Sequence, residues 1–265
     1  MTADAQIPVK PDREPLEAAE IIQELTHDVA DYWLKMAEYL FDLSCLDGLG
    51  DLVSKHSLPS RFFSGFRKAL DLYDESVHYL LGRMRQRGYN VQCRLECPHC
   101  CLNMPSGVGP AELIYLYQAM HDRGIAPRFF RRCLEAAQTW SAVSRRPKQS
   151  AQASVDAEND REGSLDLYFR SEHPCPFLVD HMCQVYSCRP LACRMHFSLT
   201  PPHWCHPSHF QNPYARNFNL EPSEKVWKTL ERLDQRFRVE LSDTMVCGLL
   251  ELTVNVMRFE KIRRV

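Results

Sequence analysis

The sequence predicts a mainly α-helical protein in which a helical hairpin and long C-terminal helices flank a loop-rich, cysteine-cluster metal-binding core with little β-structure. Apolar residues recur at steps of three and four towards both ends of the chain, as on one face of a helix. The middle of the chain holds most of the 12 cysteines. Glycine accounts for 10 of the 265 residues, about half the average frequency, which disfavours folds built on many tight turns.

Residues 1–90 are predicted to form the N-terminal helical hairpin. The apolar stripe of its first helix consists of Ile22, Leu25, Val29, Trp33, Met36, Leu40 and Leu43. Glycine and proline within 47–60 interrupt this pattern. The stripe of the second helix consists of Phe62, Phe66, Leu70, Tyr73, Val77, Leu80 and Met84. Because each helix must bury one stripe, we expect the two helices to pack against each other.

Residues 91–210 are predicted to form a cysteine-cluster domain, with two helices between its two cysteine segments. Pro110 suits the first turn of one helix, and Gly124 stands just after its end. The next helix must stop before Pro147. Residues 147–164 contain almost no large aliphatic side chains, which predicts a mobile, solvated loop.

Short β-forming stretches after Cys175 predict a small hairpin in the second cysteine segment. Residues 211–265 are predicted to form C-terminal helices that pack on the N-terminal helices. Their pattern indicates one long helix or two in tandem, with this stripe: Val226, Leu230, Leu233, Phe237, Leu241, Met245, Leu249, Leu252 and Val256.

Charge and hydropathy exclude several classes of partner. Lys and Arg total 32 against 34 Asp and Glu, a net charge of -2, so no nucleic-acid partner is expected. No apolar run is long enough to span a membrane, and no secretory signal precedes residue 15, so we predict a cytoplasmic protein. In that reducing compartment, clustered cysteines indicate a metal site or redox chemistry rather than disulfides.

Eight cysteines are predicted metal ligands, because their short spacings let several thiolates converge at little cost in loop entropy. The two groups are Cys93, Cys97, Cys100 and Cys101, and Cys175, Cys183, Cys188 and Cys193. Eight thiolates would suffice for two four-thiolate sites, or for one cluster with spare, redox-active thiols. Thiolates suit both zinc and iron–sulfur clusters, and the number and unequal spacing of the ligands favour a [4Fe–4S] cluster, with zinc as the alternative.

The segment Cys93-x3-Cys97-x2-Cys100 also has the ligand spacing of radical S-adenosylmethionine enzymes. Those enzymes need a β/α barrel after the motif, whereas the following 50 residues predict two helices. A short motif without its structural context is a weak signal, so this interpretation is rejected.

Other residues near the cysteines have more than one interpretation. Arg189 and Arg194 lie among the predicted ligands, where cations would stabilise a negatively charged centre and bind the cofactor, or would form surface ion pairs instead. Cys205 is a further candidate ligand within a histidine-rich stretch. Three cysteines stand alone in helical patterns and are predicted to be core residues: Cys45, Cys133 and Cys247.

The segment CPFLVDHMCQVYSCRPLACR, residues 175–194, resembles the signature of the YkgJ-type cysteine-cluster family, also described as a putative zinc- or iron-chelating CxxCxxCC domain. Cys97, Cys100 and Cys101 match the end of that CxxCxxCC motif. A strict motif would have cysteine at position 94, where this chain has Arg94 preceded by Cys93. The resemblance covers about residues 93–205 and implies metal binding.

Three functions remain open at this stage. The first is an iron–sulfur protein for electron transfer, sensing or support of a modifying enzyme. The second is a zinc-stabilised helical interaction protein with a protein partner. The third is a protein-modifying, methyltransferase-like iron–sulfur enzyme, since the resemblance includes a branch linked to flagellin lysine methylation. No acid–base or substrate-binding constellation is recognisable in the sequence, so catalytic residues are unknown.

Overall fold

The computed structural model describes residues 27–94, 96–144 and 156–265, with side chains from residue 160 onward in the last range. Over these residues the chain forms eight α-helices. They are α1 (Ala30–Ser44), α2 (Asp51–Lys55), α3 (Ser60–Gln86), α4 (Pro110–Asp122), α5 (Ala126–Ser144), α6 (Asp156–Arg170), α7 (Glu224–Arg236) and α8 (Met245–Glu251). The prediction of a mainly α-helical fold is confirmed.

Helices α1 and α3 form the predicted hairpin, and they run antiparallel. The Tyr79 hydroxyl, near the end of α3, lies 3.5 Å from Asp28 just before α1. At the opposite end of the pair, Leu43 packs against Gly65, where a Cβ atom would lie 2.6 Å from the leucine Cδ2. The described positions of both stripes are buried, apart from the half-buried Val77, while Ile22 and Leu25 lie outside the described residues.

The C-terminal stripe forms two helices in tandem rather than one. Helix α7 packs against α1, and the Phe237 ring contacts Phe62 of α3 with ring centroids 5.2 Å apart. Residues 237–244 separate α7 from α8, and Leu252–Val256 continues α8 as one turn of π-helix. The C-terminal helices therefore complete the core that the hairpin begins.

The predicted loop over 147–164 is wrong from Asp156 onward, because these residues form the first half of α6. Residues 147–155 lie outside the described residues. The second half of α6 supplies the apolar contacts, since Tyr168 is buried and its ring packs against Trp140 of α5. Arg161 and Glu162 are residues that favour helix formation even where the helix faces solvent. A scarcity of aliphatic side chains therefore did not exclude a helix here.

Strands are short, and over the described residues they form three two-stranded pairs. They are β1 (Ser57–Leu58), β2 (Leu178–Val179), β3 (Met182–Cys183), β4 (His196–Ser198), β5 (Asn217–Asn219) and β6 (Arg263–Arg264). β2 and β3 form the predicted hairpin, β4 pairs antiparallel with β5, and β1 pairs parallel with β6. In the described parts of the chain, no helix is both long and apolar enough to cross a membrane.

Two buried carboxyls hold the start of α4 in place. Glu112 accepts hydrogen bonds from the backbone N–H of Gly109 (3.4 Å) and of Leu191 (2.7 Å). Asp234 of α7 accepts one from Ala111 N–H at 2.7 Å. Since Leu191 begins the short 3₁₀ helix Leu191–Cys193, Glu112 connects the helical core directly to a segment that carries a predicted ligand.

We expect the contribution of Glu112 and Asp234 to the free energy of unfolding to decrease as pH rises from about 4 to about 7. Burial raises the pKa of Glu112 from 4.5 to about 7 and that of Asp234 from 3.8 to about 7. The folded chain therefore binds more protons than the unfolded chain across this window, so each pH increment favours unfolding. Chemical denaturation at a series of pH values measures the slope.

The Asp234→Asn variant tests this assignment. The amide oxygen of asparagine can still accept the hydrogen bond from Ala111 N–H, but the amide group does not titrate in this pH range. The unfolding free energy of the variant should vary less steeply with pH than that of the wild type. Equal slopes for the two proteins would contradict the assignment of this pH dependence to Asp234.

Candidate metal centre

Seven cysteines line one cavity of about 650 Å³ between the two cysteine segments. They are Cys93, Cys97, Cys100, Cys101, Cys183, Cys193 and Cys205. An adjoining cavity of about 340 Å³ is lined by Cys100, Cys101, Cys175, Cys183 and Cys193. The fold thus brings cysteines from both ends of the 93–205 region to a common space.

Backbone contacts explain how the two segments meet. Cys175 N–H donates to the Cys101 carbonyl at 2.7 Å, which joins the segments directly. Cys183 lies in the β2–β3 hairpin, paired with Leu178. The hairpin turn has both central residues, Asp180 and His181, at positive φ (49° and 63°), the conformation that a two-residue turn of this kind requires.

Four of the five cysteines that line the smaller cavity form an inner group: Cys101, Cys175, Cys183 and Cys193. The Cys193 thiol interacts electrostatically with Cys175 and Cys183, and the Cys101 thiol with the same two. Burial raises the pKa of Cys175 to about 12 and that of Cys193 well above its ordinary value. Free thiols here are therefore protonated at neutral pH, and a metal ion would displace those protons.

The remaining cysteines of the larger cavity form an outer group, Cys93, Cys97, Cys100 and Cys205, of which Cys100 also lines the smaller cavity. The Cys93 thiol interacts with the other three. Solvent reaches Cys93 and Cys100 through the cavity, although surrounding protein still raises the pKa of Cys93 to about 11 by desolvation. A hydrogen bond with Cys101 and the nearby Arg189 lower the pKa of Cys100 to about 7.

Four histidines lie beside the outer group. The rings of His99 and His206 are 5.6 Å apart, and those of His203 and His209 are 4.9 Å apart. The buried Nδ1 of His99 has no hydrogen-bond partner among the described residues. Burial and the neighbouring imidazoles lower the pKa of His99, which favours its neutral, electron-donating form.

The two candidate cofactor-binding arginines differ in their surroundings. Both line the larger cavity. Arg194 is buried and fully engaged, with an ion pair to Asp74 and hydrogen bonds to the Arg189 carbonyl (2.8 Å) and the Ser187 carbonyl (2.9 Å). Arg189 stacks over Tyr186 at 3.9 Å and lines both cavities. Burial raises the pKa of Cys183, and the charge of Arg189 offsets part of that rise. Arg194 therefore positions this loop, whereas Arg189 faces the thiols.

The structure separates Cys188 from the other predicted ligands. Its buried thiol donates to the Val185 carbonyl at 3.4 Å, and among the described residues it is not one of those that line either cavity. Of the lone helical cysteines, Cys133 is buried as predicted and Cys247 is half-buried. The prediction for Cys45 is wrong, because this residue ends α1 on the exposed side of the hairpin.

Sequence reasoning missed two residues that support the site. Asp74, on the polar side of α3, pairs with Arg194, and Glu112 fixes the segment that carries Cys193. Asp74 has no sequence signal, since it is one acidic residue in an amphipathic helix. The one sequence signal for Glu112 is its position in Pro110-Ala111-Glu112, at the predicted helix start that follows the first cysteine set.

The donor chemistry fits a thiolate-bound metal, but the side chains are not in coordinating positions. Within the described residues, no group of three or more His, Cys, Asp or Glu side chains is arranged to hold a metal ion. Comparisons with protein-family models, with curated proteins and with solved structures find no match to this chain.

Proposed function

We propose that this chain is an iron–sulfur protein that carries a [4Fe–4S] cluster and exchanges electrons with a protein partner. The cluster would be held by the four inner thiols, Cys101, Cys175, Cys183 and Cys193. Their convergence on one cavity from segments more than 70 residues apart is the observation that carries the proposal. The resemblance of residues 93–205 to the YkgJ-type family implies metal binding and leaves iron–sulfur and zinc equally open.

Several features favour a cluster over a single zinc ion in the inner group. The four thiols and Cys100 line the adjoining cavity of about 340 Å³, which suits a bulky centre better than a close-packed tetrahedral ion. Arg189 lies against this space and would offset the negative charge of a four-thiolate cluster. Such nearby cations and the degree of burial are what set the reduction potential of an iron–sulfur centre.

When bound, the cluster supplies one-electron redox chemistry. The chain's own residues position and shield it. Arg194 and Asp74 hold the loop that precedes β4, and Glu112 anchors the turn before Cys193. Tyr186 is exposed and stacked on Arg189, so the site lies close to a surface that a partner could reach.

Anaerobic purification followed by iron, zinc and acid-labile sulfide analysis tests the proposal. We expect brown protein with iron and sulfide in equal amounts, about four of each per chain, and visible absorbance that bleaches on reduction. Colourless protein with stoichiometric zinc, no labile sulfide and no visible absorbance would overturn the iron–sulfur assignment.

A further inference from the structure

A third cavity, of about 250 Å³, lies between α4, α5, α8 and the turn that follows α8. Among the described residues, it shares no lining residue with the two cysteine cavities. We propose that it binds a small uncharged molecule with one or two aromatic rings and a single hydrogen-bonding group. This binding site is separate from the candidate metal centre and does not depend on which metal that centre holds.

The size and apolar lining of the cavity define the body of the ligand. Within the described parts of the chain, no Asp, Glu, Lys or Arg side chain lines it, so a charged ligand would lose its hydration without gaining a partner. Apolar cavities exclude water, and one of about 150 Å³ is large enough to take up benzene. A cavity of about 250 Å³ therefore suits one ring or two fused rings.

Aromatic side chains form much of the wall. The rings of Phe130 and Phe259 have centroids 5.1 Å apart and meet nearly edge to face, at 66°. The ring of Tyr117 lies against that of His121, with centroids 4.4 Å apart. All four side chains line the cavity. Such walls favour a flat aromatic ligand, because rings gain energy from offset and edge-to-face contacts beyond the area that they bury.

His121 provides the one hydrogen-bonding position. Two hydroxyls also line the cavity, but the Tyr117 hydroxyl donates to the Glu260 carbonyl at 2.6 Å and the Thr253 hydroxyl to the Leu249 carbonyl at 2.6 Å. The ring nitrogens of His121 have no hydrogen-bond partner among the residues that the structure describes. Burial and the charge of Lys261 lower the pKa of His121, which favours the neutral imidazole with one donor and one acceptor.

Phe259 separates the cavity from solvent, because it lines the cavity while 56% of its surface is exposed. Its backbone and that of Arg258 have positive φ, 67° and 48°, a strained conformation that is concentrated at ligand sites. The Phe259 N–H donates to the carbonyl of Thr253 at 3.0 Å, within the π-helical turn Leu252–Val256. Such turns are frequent at functional sites, and we expect the ligand to enter past the Phe259 ring.

Indole and indene test the proposal, because they have the same two-ring shape and only indole carries an N–H group. Each is titrated into the full-length protein, and ligand-observed NMR measures the binding. We expect wild-type protein to bind indole with a dissociation constant on the order of 0.1 mM. Indene should bind about fivefold more weakly, since it lacks the hydrogen bond to His121.

Two variants locate the site. His121→Leu should bind indole no more tightly than indene, because the hydrogen-bonding group is lost while the cavity remains. Ala126→Phe should weaken binding of both probes more than tenfold, since Ala126 lines the cavity and the larger ring occupies it. Leu134→Ala is the control, because Leu134 is exposed on α5 and is not among the described residues that line this cavity. Its affinities should equal those of the wild type, and circular dichroism verifies that each variant is folded.

Three results would overturn the proposal. Wild-type protein that binds neither probe has no such site, and undiminished binding by folded Ala126→Phe would place the ligand elsewhere. A preference for indole that persists in His121→Leu would show that His121 is not the hydrogen-bonding group, and this comparison decides the question if Ala126→Phe does not fold.

Discussion

Cys175→Ser is expected to remove most of the bound iron and sulfide. The Cys175 thiol is buried and interacts electrostatically with Cys101, Cys183 and Cys193, and its backbone N–H joins the two cysteine segments. A serine hydroxyl is a poor ligand for iron–sulfur clusters, which are held by thiolates. Iron and sulfide analysis with visible absorbance spectra of anaerobically purified protein measures the loss.

Cys133→Ser is the matched control for that variant. Cys133 lies on α5, is also buried and interacts electrostatically with Cys175. Among the described residues, however, it is not one of those that line the two cysteine cavities. This variant should retain its cluster while losing some stability, because a buried hydroxyl replaces a small apolar side chain. If Cys133→Ser emptied the site as completely as Cys175→Ser, the division between ligand and core cysteines would be wrong.

Gly248→Ala should lower the free energy of unfolding by about 3 kcal/mol, at the upper end of the cost of overpacking a core. A Cβ atom at this position of α8 would lie 2.3 Å from the Ser242 carbonyl oxygen and 2.6 Å from Leu113 Cδ1 of α4. The Ser242 backbone is itself held by a 2.6 Å hydrogen bond from its N–H to Glu251. Relief of the clash must therefore move backbone, and chemical denaturation measures the cost.

Gly82→Ala provides the control of opposite sign. Gly82 lies within α3 on an exposed face, and nothing lies within 4 Å of a Cβ built there. Alanine should stabilise the protein by about 0.5–1 kcal/mol, because it has the higher helix propensity. Destabilisation by Gly82→Ala, or no effect of Gly248→Ala, would contradict the packing described for these helices.

The helices could be predicted from the sequence because their signals are local. The stripe from Val29 to Leu43, and the Pro110 and Gly124 boundaries of α4, each depend on residues within a few turns of one another. The prediction failed for Asp156–Ser164, where composition was used instead of helix propensity. A low content of aliphatic residues shows only that a segment has few contacts with the core, not that it is a loop. Helix α6 makes its aromatic core contact through its second half.

The site could be predicted only in part, because its geometry depends on distant contacts. Spacing identified the cysteine-rich segments, and all of the predicted ligands except Cys188 line the two cavities. Spacing could not show that Cys188 turns towards the Val185 carbonyl. Nor could it show that Cys205 returns to the cavity, since that depends on how β4 pairs with β5.

The backbone bond between Cys175 and Cys101 has a consequence for the order of assembly. It closes a loop of more than 70 residues that contains α4, α5 and α6, and contacts of such high sequence separation form late and slowly during folding. A nascent chain cannot present the inner thiols together until those helices have packed. If the chain carries the proposed cluster, its metallation is therefore expected to follow folding.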